Sequence, residues 1–258
     1  MFRERALGAN AIQEIFATIN GQIDRSGYQD KPADWVEAYA PFIGEVYMGH
    51  LRYSTTGKSG LSYVHPFLRR NNWCARSLML CGNFNMTNVD EIFKSVVEKG
   101  QHPRIYSDTV IILEQLGYAL DKENSRLYHQ YLKEGIDGVE CTRAIEDNLD
   151  IKRVLAEAAP GWDGGYVICG ALGSGDMWAL RDPHGIRPAF YYYDDEIVVV
   201  ASECPVIQTV MNVRRCQVKE LTPGSAIIVG KSGKVTVTDV LGCLLYTSDA
   251  ADDTPCVD

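Results

Sequence analysis

The sequence predicts an α+β fold, in which strands and helices form separate runs along the chain. Strand-like segments occupy the first and last parts of the chain, whereas helical periodicity dominates the middle. The chain has 258 residues, of which 46% are hydrophobic and 23% charged, which is the balance of a folded globular protein. We find no internal repeat and no regular alternation of strand and helix, so a parallel βαβ sheet is not expected.

The N-terminal part of the chain predicts one helix followed by two strands. Apolar residues recur there at intervals of three and four positions, as on one face of a helix over residues 6–19: Ile12, Ile15, Phe16 and Ile19. The polar residues 20–40 are expected to form loops. Strands are expected over residues 45–53 and 77–81, and the second of these runs into an Asn-rich segment at 82–88.

The rest of the chain predicts helices and then strands. Helical patterns cover four segments: residues 88–100, 107–120, 124–134 and 143–158. The first of them begins at Asn88, a fitting N-cap with Glu91 three positions later, and Gly100 ends it. After Gly164, short apolar runs are separated by Gly, Asp and Pro. These runs predict six strands: residues 166–172, 177–181, 189–193, 197–202, 225–229 and 235–240.

Charge and cysteine usage argue against several classes of protein. A net charge of −9 argues against nucleic-acid binding, which requires a basic surface. No stretch approaches the roughly 18 apolar residues of a membrane span. The charged N-terminus lacks the apolar region of a signal peptide, so a cytoplasmic protein is expected. The eight cysteines show neither CxxC pairs nor metal-ligand spacing with histidine, which predicts reduced thiols and no metal site.

The end of the chain is expected to be foreign to the fold. The run from Cys243 to Asp253 resembles the translation of a transposase sequencing adapter. We therefore divide the chain into a globular domain, residues 1–242, and an artefactual tail, residues 243–258. A disordered acidic tail is the alternative interpretation of the same residues.

Three polar clusters at strand ends or helix starts carry candidate binding groups. Arg52 ends a predicted strand, and its guanidinium can take a carboxylate bidentately, although a structural ion pair is an equal alternative. Asn83 and the backbone N–H after it can form an oxyanion hole at a tight turn, although Asn-rich turns are common. Asp108 opens a helix, where it can cap the first turn or receive an ammonium group. Together these groups fit an α-amino acid whose side-chain carbonyl is attacked, and glutamine meets that description.

An ordered set of motifs resembles the class II glutamine amidotransferase domain of the amidophosphoribosyltransferases. The motifs are residues 49–55 (GHLRYST), 82–88 (GNFNMTN), 107–109 (SDT), 163–166 (DGGY), 181–188 (RDPHGIRP), 201–203 (ASE) and 220–224 (ELTPG). The resemblance spans residues 1–240. It implies a four-layer αββα sandwich of the N-terminal-nucleophile hydrolase type that lacks its first strand and helix here. We expect the 181–188 run to be architectural, with Asp182 and Arg187 pairing with each other or capping turns.

The resemblance assigns roles to the residues of the three polar clusters. Arg52, assisted by Thr55, would hold the α-carboxylate of glutamine, and Asp108 would hold its α-ammonium group. The side-chain amide of Asn83 and the backbone N–H of Phe84 would form the oxyanion hole. Many relatives carry Gly where Phe84 stands, so the resemblance does not define the backbone conformation at this position.

The attacking group of this family is absent from the sequence. Members use an N-terminal cysteine whose own α-amino group is the base, whereas this chain begins Met1-Phe2. Cys81 stands next to Gly82, which the resemblance places near the substrate amide, but no activating base or dipole is evident for its thiol. We therefore expect no glutaminase activity from this chain. His50 and His184 are expected to have hydrogen-bonded structural roles.

The implied enzyme combines glutamine with phosphoribosyl pyrophosphate to give phosphoribosylamine in purine biosynthesis. Its phosphoribosyltransferase domain, with the Mg²⁺ that this domain uses, would lie C-terminal to this chain, so no cofactor is expected in this part. A homo-oligomer is expected for the full-length enzyme. Asparagine synthetase and glucosamine-6-phosphate synthase share the glutaminase domain and stay open as alternatives. A non-catalytic amino-acid-binding or regulatory module is a further alternative.

Overall fold

The computed structural model describes residues 1–25, 27–51 and 60–244. Its α-helices are α1 Ala11–Arg25, α2 Ala33–Tyr39, α3 Val89–Glu98, α4 Asp108–Lys133, α5 Gly138–Asn148, α6 Ile151–Ala158 and α7 Cys204–Met211. Its strands are β1 Phe67–Arg69, β2 Leu78–Met86, β3 Gly164–Leu172, β4 Met177–Arg181, β5 Phe190–Tyr193, β6 Val198–Ala201, β7 Lys219–Glu220, β8 Ser225–Val229 and β9 Val235–Asp239. Within these described ranges, no helix is long and apolar enough to cross a membrane.

The strands form two sheets whose neighbouring strands are antiparallel. The larger sheet has six strands in the order β1-β2-β3-β4-β8-β9, and the smaller sheet has three in the order β6-β5-β7. β2 and β3 share the longest register, from Leu78 opposite Leu172 to Met86 opposite Gly164. Antiparallel sheets with helices grouped in one stretch of the chain confirm the predicted α+β class.

One face of the larger sheet packs against helices. Leu80 and Ile168 from the sheet meet Ile112 and Leu116 of α4 and Leu155 of α6 in the main core, and each is at most 1% exposed. Burial of each such side chain contributes about 2 kcal/mol of stabilisation, before the cost of ordering the chain. The helical middle of the chain therefore forms one outer layer.

The other face of the larger sheet packs against the smaller sheet. Val167 and Ile227 of the larger sheet share a core with Tyr191 and Leu221. Helix α7 covers the outer face of the smaller sheet, where Ile207 is fully buried. The layers follow the order helix, sheet, sheet, helix, which confirms the predicted four-layer αββα arrangement.

Side-chain caps and burial explain where the helices agree with the predicted bounds and where they differ from them. α4 begins at the predicted place, because the Ser107 hydroxyl accepts a hydrogen bond from the Val110 N–H at 3.3 Å. It then continues through two predicted helices, since Leu127 stays buried beyond the expected break. The last predicted helix is instead divided into α5 and α6, because Asp150 caps α6 by accepting from the Arg153 N–H at 3.0 Å.

Two predictions for the N-terminal part are wrong. Loops were expected over residues 20–40, but α1 continues to Arg25 and α2 lies within the same stretch. A strand was expected over residues 45–53, but residues 45–51, its described part, form none.

Candidate functional site

The predicted oxyanion segment lies inside β2 and does not form a tight turn. The strand continues through Gly82, Asn83 and Phe84, and Asn83 stands opposite Val167 of β3. The ladder with β3 holds the segment extended, so the chain leaves the sheet only after Met86. The expectation of a turn is therefore wrong, and the donors must be judged by the geometry of a strand.

The hydrogen-bonding groups of Gly82 and Phe84 point away from β3. The Gly82 N–H donates to Nδ1 of His65 at 3.3 Å. Backbone groups two residues apart point to the same side of a strand. Tyr166, which lies opposite Phe84, donates its own N–H in the other direction, to Oδ2 of Asp182 at 3.3 Å. The Phe84 N–H is therefore directed to the outer edge of β2.

We call the outer edge of β2 beside Phe84 open, because among the described residues no strand pairs with it. β1 pairs with β2 only at residues 78–80. No strand in the described part of the chain therefore pairs with the edge from Gly82 onward. An unpaired N–H at a sheet edge can bind a ligand, and a backbone N–H is one of the donors from which oxyanion holes are built.

Asn83 leaves β2 on a different face from Phe84. The Phe84 ring packs against the core on the helix side, whereas Val167, the partner of Asn83, lies in the core between the two sheets. The Asn83 side chain is exposed. The two predicted oxyanion donors thus belong to neighbouring residues: the Phe84 N–H lies in the plane of the sheet, and the Asn83 side chain lies on its face.

Asp108 stands half-buried at the start of α4 and is connected to β2. Its Oδ1 accepts the Thr109 N–H at 2.8 Å and the Thr109 hydroxyl at 3.3 Å. The same hydroxyl lies 3.3 Å from Nε2 of His65, whose Nδ1 accepts the Gly82 N–H. One imidazole therefore joins the predicted ammonium-binding carboxylate to the predicted oxyanion strand.

Arg52 and Thr55 lie outside the described residues, so the structure does not locate the predicted carboxylate-binding pair. The described chain nevertheless reaches the site just before them. His50 stacks on His65, with the ring centroids 4.3 Å apart and the ring planes 19° from parallel. This contact brings the beginning of the 49–55 motif to the imidazole that links Asp108 with Gly82.

Gly82 is required by close packing within the sheet. A Cβ atom at this position would lie 2.4 Å from the carbonyl oxygen of Val167 and 2.8 Å from Cε1 of Phe84. The Phe84 ring thus occupies the space beside Gly82, with its centroid 5.8 Å from that of His65. The bulk of Phe84 is accommodated on the helix side, and its backbone N–H keeps its direction along the sheet plane.

Cys81 is buried on the face between the two sheets. It stands directly opposite Cys169 in the register of β2 and β3. A hydrogen bond with the Cys169 thiol, together with burial, raises the pKa of Cys81 far above its usual range. The thiol therefore stays protonated at neutral pH, and a protonated thiol is a poor nucleophile.

The 181–188 run forms a loop that is organised by a buried carboxylate. Asp182 is fully buried and accepts the backbone N–H groups of Tyr166, His184, Ile186 and Arg187 at 3.0–3.3 Å. The contact with Arg187 is made through its backbone, so the expected capping role of Asp182 describes the geometry better than a pair between the two side chains. His184 is exposed and contributes its N–H to the same loop.

His65 was missed by the sequence reasoning, and Thr109 was given no role. His65 belongs to none of the polar clusters, and its partners lie 17 and 44 residues away along the chain. A lone histidine before a proline carries no local signal of such contacts. Thr109 did carry a signal, since it ends the 107–109 motif.

Comparison with known proteins identifies relatives of this chain. No protein-family model matches it. The amidophosphoribosyltransferase of Escherichia coli is 27% identical over 223 residues, which are 83% of this chain and 37% of that protein. The enzyme of Pseudomonas aeruginosa is 25% identical over 199 residues, or 75% of this chain and 35% of that protein. The enzyme of Saccharomyces cerevisiae is 26% identical over 196 residues, which are 73% of this chain and 34% of that protein.

This chain is also similar, at lower sequence identity, to a solved structure. A glutamine phosphoribosylpyrophosphate amidotransferase from B. subtilis, complexed with ADP and GMP, has 21% identity and a TM-score of 0.48, over 74% of this chain and 34% of that one. The chain spans only 34–37% of the length of the three relatives described above. It is a homologue of the amidophosphoribosyltransferases, as its ordered motifs indicated.

Proposed function

We propose that this chain binds glutamine as the glutaminase part of an amidophosphoribosyltransferase. The observation that carries the proposal is that His65 links Asp108, through Thr109, to Gly82 on the strand that also carries Phe84. The similarity of the chain to the amidophosphoribosyltransferases supports it. The transfer of ammonia to phosphoribosyl pyrophosphate, with its Mg²⁺ and with the homo-oligomeric assembly, is assigned to the longer enzyme. Residues 243–258 are proposed to lie outside the functional domain.

Asp108 is the group that would recognise the α-ammonium of glutamine. Thr109 engages its Oδ1, and we assign Oδ2 to the ligand. The carboxylate is half-buried, so an ammonium group would meet it with little competing water. A hydrogen bond between charged groups in such a setting contributes about 1.5–3 kcal/mol, which corresponds to roughly a 10- to 150-fold gain in affinity.

Asn83 and Phe84 would act at the other end of the substrate. The amide carbonyl of glutamine would lie at the open edge of β2, within reach of the Phe84 N–H and the Asn83 amide. Negative charge develops on this oxygen only when the carbonyl is attacked. The two donors therefore stabilise the tetrahedral intermediate more than the bound substrate. Asp108 and the proposed partners Arg52 and Thr55 bind the α-ammonium and α-carboxylate groups, which do not change in the reaction, so they stabilise substrate and intermediate equally.

Calorimetry with two ligands tests the assignment of Asp108. L-Glutamine carries the α-ammonium group, and glutaric acid monoamide is the same molecule without it. Asp108→Asn is expected to weaken glutamine binding at least about tenfold and to leave the binding of the monoamide nearly unchanged. Asp137→Asn, at the exposed start of α5, is the matched control and should change neither affinity. Equal glutamine affinity in Asp108→Asn and wild type would contradict the assignment.

Ammonia release separates binding from catalysis. The polypeptide of residues 1–258 contains no cysteine with a free α-amino group, and its Cys81 thiol stays protonated. We therefore expect it to bind glutamine without releasing ammonia, and we expect Asn83→Ala to leave glutamine binding within about threefold of wild type. If the chain released ammonia and Cys81→Ala abolished this release, Cys81 would be a nucleophile, contrary to this expectation.

A further inference from the structure

His65 occupies the space between β2 and α4 and is 93% buried, since only 7% of it is exposed. It lies just before β1, at the point where the edge of β2 becomes open. Its two ring nitrogens reach different elements: Nδ1 meets the Gly82 N–H on β2, and Nε2 meets the Thr109 hydroxyl on α4, each at 3.3 Å. The imidazole thus bridges the two elements that carry the proposed oxyanion donor and the proposed ammonium-binding carboxylate.

The partners of His65 fix the positions of its protons. A backbone N–H can only donate, so Nδ1 must accept from Gly82 and must be unprotonated. At its other contact, the Thr109 hydroxyl donates its proton to Oδ1 of Asp108 at 3.3 Å. The same hydroxyl must then accept from His65, which places a proton on Nε2. The contact with Gly82 requires an unprotonated Nδ1, and the contact with Thr109 agrees with it by placing a proton on Nε2, so together they describe the neutral Nε2–H tautomer.

Aromatic neighbours hold the plane of the imidazole. His50 stacks on one side at 4.3 Å between centroids, and the Phe67 ring meets the imidazole nearly perpendicularly at 5.2 Å. Phe84 lies 5.8 Å away. A ring enclosed in this way has few rotamers available, so its contacts with Gly82 and Thr109 are held in a fixed direction.

We propose that His65 is a positioning residue that sets the separation between the ammonium-binding carboxylate on α4 and the oxyanion edge of β2. The proposal rests on the proposed glutamine-binding function. A glutamine molecule must satisfy both ends of the site at once, so its affinity depends on that separation. His65 touches neither end of the substrate itself, and it acts through Gly82 and Thr109.

Substitutions that keep or remove the bridge test the proposal by calorimetry with L-glutamine. His65→Phe keeps an aromatic ring but loses the hydrogen bonds to Gly82 and Thr109, and Thr109→Val keeps the shape of the side chain but loses the hydroxyl. We expect His65→Phe to weaken binding about tenfold and Thr109→Val about fivefold. His65→Gln can accept with its oxygen and donate with its nitrogen, so it should restore affinity to within about threefold of wild type. His129→Gln, on the exposed surface of α4, is the matched control.

The outcomes separate the two proposals. Wild-type protein that binds no glutamine would overturn the proposed function, and the positioning role with it. Wild-type binding that His65→Phe leaves unchanged in a folded protein would overturn the positioning role alone. Equal losses in His65→Phe and His65→Gln would do the same, because a bridging role requires rescue by the amide.

Nitrogen NMR of the five histidines gives a readout that does not depend on glutamine. Comparison of wild type with His65→Gln assigns the His65 signals. We expect an unprotonated Nδ1, a protonated Nε2, and a shift of the Gly82 amide signal in His65→Phe. Thermal unfolding of each variant establishes that it is folded. A protonated Nδ1 at neutral pH would overturn the bridge, since the Gly82 N–H would then have no acceptor there.

Discussion

Replacement of Asp182 should be among the most destabilising substitutions in this chain. The carboxylate is fully buried and accepts four backbone N–H groups, from Tyr166 on β3 and from His184, Ile186 and Arg187 in the following loop. The Tyr166 N–H lies in a buried hydrogen bond, and the other three bonds are partly buried. Asp182→Ala leaves all four donors without this acceptor.

The size of the effect follows from the burial of these donors. A buried donor left without a partner costs about 1–3 kcal/mol, and a donor that water can reach costs less. Taking about 2 kcal/mol for Tyr166 and somewhat under 1 kcal/mol for each loop N–H, we expect Asp182→Ala to lower the free energy of unfolding by about 4 kcal/mol. Asp182→Asn keeps the shape and one acceptor oxygen, so about half of that loss is expected.

Urea unfolding followed by tryptophan fluorescence measures these changes, because Trp162 and Trp178 are buried in the main core. Asp194→Ala is the control. Asp194 also accepts the backbone N–H groups of a turn, from Glu196 and Ile197, but this turn is exposed. Its replacement should have a clearly smaller effect. A loss below about 1 kcal/mol in Asp182→Ala would refute the argument that the carboxylate satisfies otherwise unpaired donors.

Two further predictions concern the strand pair β2–β3. Gly82→Ala should destabilise the protein by about 2 kcal/mol or more and weaken glutamine binding, because the new Cβ would lie 2.4 Å from the Val167 carbonyl oxygen. Gly44→Ala, which has no atom within 4 Å of the added Cβ, is the control for urea unfolding and calorimetry. Burial and the nearby Asp182 carboxylate raise the pKa of Tyr166 above its usual value of 10.0. The folded state therefore holds the neutral phenol, so this contribution to stability is complete below about pH 10 and is lost at higher pH. Tyr166→Phe should reduce the loss of stability between pH 9 and pH 11; an identical alkaline decline in both proteins would contradict the assignment.

The sequence predicted the C-terminal sheets more accurately than the N-terminal part. The strands at Met177–Arg181 and Ser225–Val229 have the predicted bounds, because short apolar runs there are separated by Gly, Asp and Pro. The polar stretch at residues 20–40 contains helical segments instead of loops. A polar composition does not exclude a helix, because several polar residues are good helix formers, so composition alone is a weak guide to loops in such a stretch.

The sequence motifs named residues of the candidate site, but they did not reveal the residue that links them. Asp108, Asn83 and Phe84 were proposed from the motifs; Asp108 begins a helix as expected, whereas Asn83 and Phe84 lie within a strand and not at a turn. His65 could not be assigned, because its role depends on contacts with Gly82 and Thr109 that only the fold creates. Contacts of this kind arise from tertiary packing and leave no periodic trace in a single sequence.

The register of β2 against β3 determines whether the site can exist. Phe84 and Tyr166 face each other as a pair without mutual hydrogen bonds, so the Phe84 N–H points to the open edge and the Tyr166 N–H points to Asp182. A shift by one residue would turn the Phe84 N–H into the ladder and move the Asn83 amide into the helix-side core. Asp182 fixes β3 from one side, and the bond from Gly82 to His65 fixes β2 from the other. The two contacts that stabilise the strand pair therefore also direct the Phe84 N–H to the outer edge of β2, where the amide carbonyl of glutamine is proposed to bind.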